Sequence, residues 1–200
     1  MSHYFTNDEN LRSQPRIVTY SINGIDFELE SDIGVFSKNK LDYGSETLIK
    51  SLLPLDLGER LLDIGCGIGP IGLTLAYFHP SMNVVCSDVN TRALELCKLN
   101  ARKLTLSKRV TCLQSDIYLE IEGKFHSIVS NPPIRAGKKV TYEIYRGALE
   151  HLDEHGSLYI VIRKAQGASS VKDYLEELFG NATVLAKSKG YLIIKATKEN

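Results

Sequence analysis

Leu61-Leu62-Asp63-Ile64-Gly65-Cys66-Gly67-Ile68-Gly69-Pro70, residues 61–70, reads as a short buried strand that ends beside a carboxylate and breaks into a glycine-rich turn. Pro70 suits the first turn of a helix, where its missing N–H has no partner to lose, so a helix is expected to about Phe78, stopped by Pro80. Strand, glycine turn and helix in that order open an α/β unit, and the alternation continues. Asn83 to Ser87 reads as a strand, and Thr91 onward as a helix with Leu94, Cys97, Ala101 and Leu104 on one stripe. Val110 to Gln114 and Phe125 to Ser130 are further strands. A helix opening at Thr141 and closed by Gly156 precedes a strand at Leu158 to Ile162, and Val171, Tyr174, Leu175 and Leu178 mark another helix. Two last strands, Ala182 to Ala186 and Tyr191 to Ala196, flank the connection Lys187 to Gly190. The pattern predicts an α/β fold: a mostly parallel seven-stranded sheet covered on both faces, with an antiparallel C-terminal edge.

Upstream, Ile17 to Leu29 alternates about Asn23-Gly24, a hairpin signal. Residues 31–44 are loop-like, and Ser45 is expected to cap a helix to about Leu53, ended by Pro54. With no internal repeat and no linker, residues 1–200 read as one domain. Residues 1–44 supply the hairpin and a covering segment, and residues 45–200 the catalytic core.

A hydrophobic fraction of 43% and a charged fraction of 24% belong to an ordinary globular protein, and no apolar run approaches a membrane span. The first ten residues are polar and lack a signal-peptide core, so a cytoplasmic location is expected. Cys66, Cys86, Cys97 and Cys112 show no C-x-x-C spacing and read as reduced core thiols, with no metal centre expected. The 24 basic and 24 acidic side chains cancel, which weighs mildly against a nucleic-acid partner. Their distribution is uneven: residues 1–130 carry 13 basic and 16 acidic side chains, residues 131–200 carry 11 and 8. The basic excess gathers at Arg135, Lys138, Lys139, Arg163 and Lys164.

Gly67-Ile68-Gly69-Pro70-Ile71-Gly72 matches the G-x-G-x-x-G pattern that seats a pyrophosphate on a helix N-terminus. Pro70 removes one of the N–H groups such a seat would offer. The frame Asp63-x-Gly65-x-Gly67-x-Gly69 fits better. In that frame the glycine turn would meet the amino-acid part of a nucleotide-like cofactor, and Asp63 can hold its ammonium directly or through water. Asp88, at the tip of the next strand, can accept two ribose hydroxyls, and Asp116 can accept from an adenine amino group. All three lie at the carboxyl edge of the predicted sheet, where such folds bind ligands.

Asn131-Pro132-Pro133-Ile134 follows the apolar run Phe125 to Ser130. An exocyclic amino group is a weak nucleophile because its lone pair is delocalised into the ring. The Asn131 side-chain oxygen can accept one amino hydrogen and the Pro132 carbonyl the other. Pro132 and Pro133 stiffen the cradle by fixing φ. With the glycine loop upstream, the expected chemistry is therefore methyl transfer from S-adenosylmethionine to an amino nitrogen, with Asn131, Pro132 and Pro133 as catalytic residues. An aromatic residue that would stack on a target base is missing after the prolines, leaving Phe36, Tyr142 or the Arg135 guanidinium as candidates.

The octet Asn131-Pro132-Pro133-Ile134-Arg135-Ala136-Gly137-Lys138, taken with Asp63-Ile64-Gly65-Cys66-Gly67, resembles the ribosomal small-subunit methyltransferase C family, guanine-N2 methylases of 16S rRNA. Gly34-Val35-Phe36-Ser37 and Leu41-Asp42-Tyr43-Gly44-Ser45 are similar to the start of that family's catalytic domain. Arg163 to Ala168 and Lys189-Gly190-Tyr191 are similar to its single-domain bacterial members. The resemblance covers roughly residues 16–197 and implies a Rossmann-like class I methyltransferase that binds S-adenosylmethionine and acts on RNA, with monomer and homodimer both open. It implies that Phe36, Ser37, Asp63, Gly65, Cys66, Gly67, Asp88, Val89, Asp116, Ile117 and Asn131 meet the cofactor. It likewise implies that Ile134, Arg135, Lys138 and Arg163 meet the substrate. The better-known members carry a second, degenerate domain, so docking here would fall to the hairpin and basic loops or to a dimer. The competing readings are amino methylation of a protein glutamine or a DNA adenine, a non-catalytic RNA-binding assembly factor, and a nicotinamide-dependent oxidoreductase.

Overall fold

The strand predicted around Asp63 is β3, Arg60–Ile64, and it sits mid-sheet because four of its five side chains are buried. The computed structural model describes residues 13–33, 35, 40–132 and 137–199. Ahead of β3 come the hairpin β1 (Pro15–Ile22) and β2 (Ile25–Asp32) and helix α1 (Tyr43–Leu52). Beyond it follow α2 (Pro70–Phe78), β4 (Asn83–Asp88), α3 (Thr91–Lys103), β5 (Val110–Gln114) and β6 (Phe125–Ser130). The chain continues through α4 (Lys138–His151), β7 (Leu152–Arg163), α5 (Ala168–Phe179), β8 (Thr183–Ser188) and β9 (Tyr191–Thr197).

The seven-stranded sheet has the order β5-β4-β3-β6-β7-β9-β8, and β9 is antiparallel to both of its neighbours. Buried side chains of α1, α2 and α3 cover one face, and those of α4 and α5 cover the other. The order reverses between β3 and β6, so the loops after those two strands open at a topological switch point, where α/β sheets bind ligands.

The hairpin turns on Asn23 (φ 49°) and Gly24 (φ 79°), the left-handed pair that a two-residue turn requires. Val18, Ile22, Phe27 and Leu29 bury its inner face against the α2–α3 layer. Asn100, buried on α3, fastens it there. Its Nδ2 donates to the carbonyls of Glu30 (3.0 Å) and Ile68 (3.1 Å), and its Oδ1 accepts from Glu30 N (2.7 Å). Asn100→Leu would strand these buried backbone groups and should lower unfolding free energy by about 3 kcal/mol in urea titration.

Three expectations need correction. Asp42, not Ser45, caps α1, its carboxylate accepting from Ser45 N at 3.0 Å. Helix α4 opens at Lys138, three residues before Thr141, and ends at His151 rather than near Gly156. Gly156 lies within β7, where a Cβ would come 3.0–3.1 Å from the carbonyl oxygens of Asp153, Phe125 and His126. It is glycine because strands approach closely at an irregularity in register, not because a helix stops. The last hairpin is also tighter than expected, with Ser188 opposite Tyr191 across Lys189-Gly190. Among the described residues no helix is long and apolar enough to cross a membrane.

Candidate active site

The turn after β3 is shaped by its glycines. Gly65 (φ 71°), Gly67 (φ 56°) and Gly69 (φ 92°) are all left-handed. The N–H groups of Gly65 and Cys66 converge on the Ser87 carbonyl at 2.8 and 3.0 Å, binding the turn to the end of β4. Beneath the turn Gly69 is packed tightly, since a Cβ there would lie 2.6 Å from Cys97 Sγ. A Cβ on Gly67 would meet nothing within 4 Å, so space is open over that residue. Pro70 begins α2 behind Gly69, which supplies no side-chain cap.

Two carboxylates brace this turn. Asp63 is 1% exposed; its Oδ2 accepts from Gly72 N at 2.8 Å, and its Oδ1 is buried without a partner among the described residues. Burial pushes its pKa up to about 7. A buried, half-satisfied carboxylate beside an open glycine turn fits a cationic ligand group, as the ammonium of S-adenosylmethionine requires. Asp88 is half-buried at the tip of β4; Oδ2 accepts from Gly67 N (2.8 Å) and Oδ1 from Asn90 N (2.9 Å), and burial raises its pKa. A carboxylate offers about four acceptor sites, so Asp88 keeps capacity for a hydroxyl donor beside its backbone N–H partners. Val89 is half-buried beside it. Asp116 is exposed beyond β5, and Ile117, half-buried, takes a left-handed φ of 55°.

Asn131 stands level with Gly65, because Asp63 of β3 pairs with Val129 of β6. Ser130 Oγ donates to the Ile64 carbonyl at 2.8 Å and locks the two strand ends together. The Asn131 Nδ2 donates to Asp42 Oδ1 (3.2 Å) and Ser45 Oγ (3.0 Å). A carboxylate only accepts, so the chemistry of Asp42 fixes which end of the carboxamide faces it. The Asn131 Oδ1 is left as a directed acceptor that takes no hydrogen bond from the described residues. Pro132 is buried behind it.

The predicted residues divide by place. Asp63, Gly65, Gly67, Asp88 and Asn131 gather at the carboxyl ends of β3, β4 and β6. Phe36, Ser37, Pro133, Ile134 and Arg135 lie outside the described residues. Lys138 is exposed at the start of α4, and Arg163 is exposed at the end of β7. Tyr142 does not face the cleft: its ring packs on Tyr174 (4.4 Å) and Tyr145 (5.8 Å) between α4 and α5. Cys66 turns into the core, where its sulfur lies within 4.8 Å of those of Cys86 and Cys97, and Cys112 Sγ is 3.4 Å from Cys97 Sγ. The Cys66 side chain is buried among these sulfurs, which leaves its backbone as the part at the turn, and burial pushes the thiol well up. Asp42 and Ser45 were not foreseen as part of this site. Only the local half of their role was legible, an Asp three residues before a Ser at a helix start as a capping spacing, and that spacing does not point to Asn131.

The family model of the methyltransferase small domain matches residues 26–195. The chain is 43% identical over 198 residues to the uncharacterized protein YbxB of Bacillus subtilis, covering 98% of each. It is 34% identical over 169 residues to ribosomal RNA small subunit methyltransferase C of Erwinia tasmaniensis, covering 82% of this chain and 48% of that one. The chain thus spans about half the length of such rRNA methyltransferases. Among solved structures, the T. thermophilus 16S rRNA N2 methyltransferase RsmC, in complex with AdoMet and guanosine, superposes with a TM-score of 0.83. It is 26% identical, over 94% of this chain and 52% of that one.

Proposed function

The chain belongs to the methyltransferase small domain family, and from that premise we propose that it uses S-adenosylmethionine to methylate the exocyclic N2 amino group of a guanine in small-subunit rRNA. The observation that carries this reading is the Asn131 carboxamide, held by Asp42 and Ser45 so that its oxygen, which takes no hydrogen bond from the described residues, stands level with the glycine turn. The relatives named as rRNA methyltransferases and the likeness to RsmC support the choice of substrate.

S-adenosylmethionine, when bound, supplies an electrophilic methyl group. Asp63 and the turn Gly65–Gly67 would hold its amino-acid part, Asp88 its ribose, and Asp116 with Ile117 its adenine. On the substrate side, Asn131 Oδ1 and the Pro132 carbonyl accept the two amino hydrogens and fix the direction of the nitrogen lone pair. Such alignment can lower a barrier by about 7–11 kcal/mol, so no strong base is required and the product nitrogen releases its proton to water. Phe36 and Ser37 cover the cofactor in this reading, and Ile134, Arg135 and Lys138 face RNA, with residues 1–200 acting as one domain in the cytoplasm.

The test is transfer of tritiated methyl to small-subunit particles lacking modification, followed by nucleoside analysis. N2-methylguanosine is expected. Label in protein, or in another nucleoside, overturns the substrate assignment. Asp42→Ala releases the Asn131 amide, so kcat should fall by about 10- to 100-fold with little change in cofactor Kd. The accompanying loss of the α1 cap should lower stability by about 1 kcal/mol.

A further inference from the structure

The same edge of the sheet carries a second feature beside the Asn131 cleft. Arg163, the last residue of β7, places its guanidinium 4.9 Å from the centroid of the Tyr191 ring. Lys189, in the β8–β9 turn, places its ammonium 4.6 Å from the centroid of the Tyr43 ring. The two rings lie 5.9 Å apart, and the Tyr43 hydroxyl shares a 2.6 Å hydrogen bond with that of Ser188. Lys164 N donates to the Gly190 carbonyl at 2.7 Å, drawing the end of β7 onto the turn.

Arg163, Lys164 and Lys189 are exposed, and among the described residues none of them pairs with a carboxylate. Three neighbouring cations repel one another, and among the described residues no ion pair offsets that. The ring faces attract and orient two of them, which restricts long side chains that would otherwise sample many rotamers. Fixed, unpaired cations over aromatic rings suit a ligand with both repeated negative charge and flat bases.

The patch is joined to the cleft through one short segment. Asp42 holds Asn131, Tyr43 follows it, and Gly44 lies so near Tyr191 that a Cβ there would come within 2.8 Å of the ring. We propose that Arg163 and Lys189, seated on Tyr191 and Tyr43, form with the exposed Lys164 beside them a docking platform that grips the RNA phosphates flanking the target nucleotide. The inference rests on the guanine-methylation reading for its choice of RNA, but its test reads binding alone.

The experiment compares wild type with the triple variant Arg163→Gln, Lys164→Gln, Lys189→Gln. Each is titrated with naked small-subunit rRNA and with assembled small subunits across a salt series, and cofactor affinity and thermal midpoint are measured alongside. The triple variant should bind naked rRNA at least about tenfold more weakly at low salt, and the slope of log affinity against log salt should shrink by about 2, as loss of three single-strand phosphate contacts requires. Cofactor affinity and thermal midpoint should stay at wild-type values. Tyr43→Leu should weaken binding but leave the salt slope intact, since it removes no charge. Unchanged rRNA affinity and slope in the triple variant overturn the proposal. Weaker binding to assembled particles with normal binding to naked rRNA also overturns it, in favour of an acidic protein partner. If the wild type binds rRNA through the patch yet forms no N2-methylguanosine, the platform stands and the methylation reading falls.

Discussion

Asn131→Ala should reduce methyl transfer by about a thousandfold, roughly 4 kcal/mol of barrier, while S-adenosylmethionine affinity stays within about threefold. The side chain contributes one of two acceptors that hold the target amino group, and its loss frees that group to rotate and restores lone-pair delocalisation. The rest of the site should persist, since Ser130 still ties β6 to β3 and Asp42 still caps α1. Asn131→Asp separates geometry from chemistry. It keeps the shape and one oxygen but places a carboxylate oxygen where an amide nitrogen now lies 3.2 Å from Asp42. Two carboxylates at that distance repel or share a proton, so the variant should be nearly as inactive as alanine, and Asn131→Asp with Asp42→Asn should recover part of the loss. Single-turnover transfer and calorimetric cofactor titration check these outcomes. Wild-type turnover by Asn131→Ala would remove the cradle from the mechanism.

The parts of this molecule that the sequence made legible are those governed by short-range rules. The Asn23-Gly24 hairpin, Pro70 at the first turn of α2, and the apolar runs of β3 and β6 each follow from local backbone chemistry, and each sits where periodicity put it. Helix α4 was misread because Gly156 resembles a helix stop, whereas it answers a steric demand from Phe125 and His126 on a neighbouring strand. The candidate site was half legible for the same reason. The Asp63 turn and Asn131 announce themselves by residue type. The clasp of Asp42 and Ser45 on Asn131 joins residues 86 and 89 positions apart, and no local pattern encodes it. Tyr142 looked available as a stacking surface until α5 brought Tyr174 against it. The cysteines behave alike, for their lack of spacing in sequence hid the convergence of Cys66, Cys86 and Cys97 beneath the glycine turn.

Asp63 yields a prediction in pH rather than in rate. Burial raises its pKa to about 7, with the neighbouring charge of Asp88 acting in the same direction and the Gly72 N–H opposing both. A cationic ammonium favours the ionised carboxylate, and the ionised fraction falls as pH drops below that value. Cofactor affinity should therefore weaken about tenfold between about pH 7.5 and about pH 6. Asp63→Asn removes the charge while its oxygen can still accept from Gly72 N. The variant should bind cofactor about a hundredfold more weakly at about pH 7.5 and lose most of the acid-side dependence. Stability without cofactor runs the other way. For an acid whose folded pKa lies above its unfolded one, the stabilising contribution is full below the unfolded value and is lost as pH rises through about 7. The protein alone should therefore be less stable at about pH 8 than at about pH 6, and Asp63→Asn should be the more stable of the two at the higher pH. Opposite trends in cofactor affinity and in stability, both flattened by one substitution, would assign the titration to Asp63. An affinity profile that Asp63→Asn leaves unchanged would place the ammonium elsewhere, with Asp88, whose pKa burial also raises, as the remaining carboxylate at the turn.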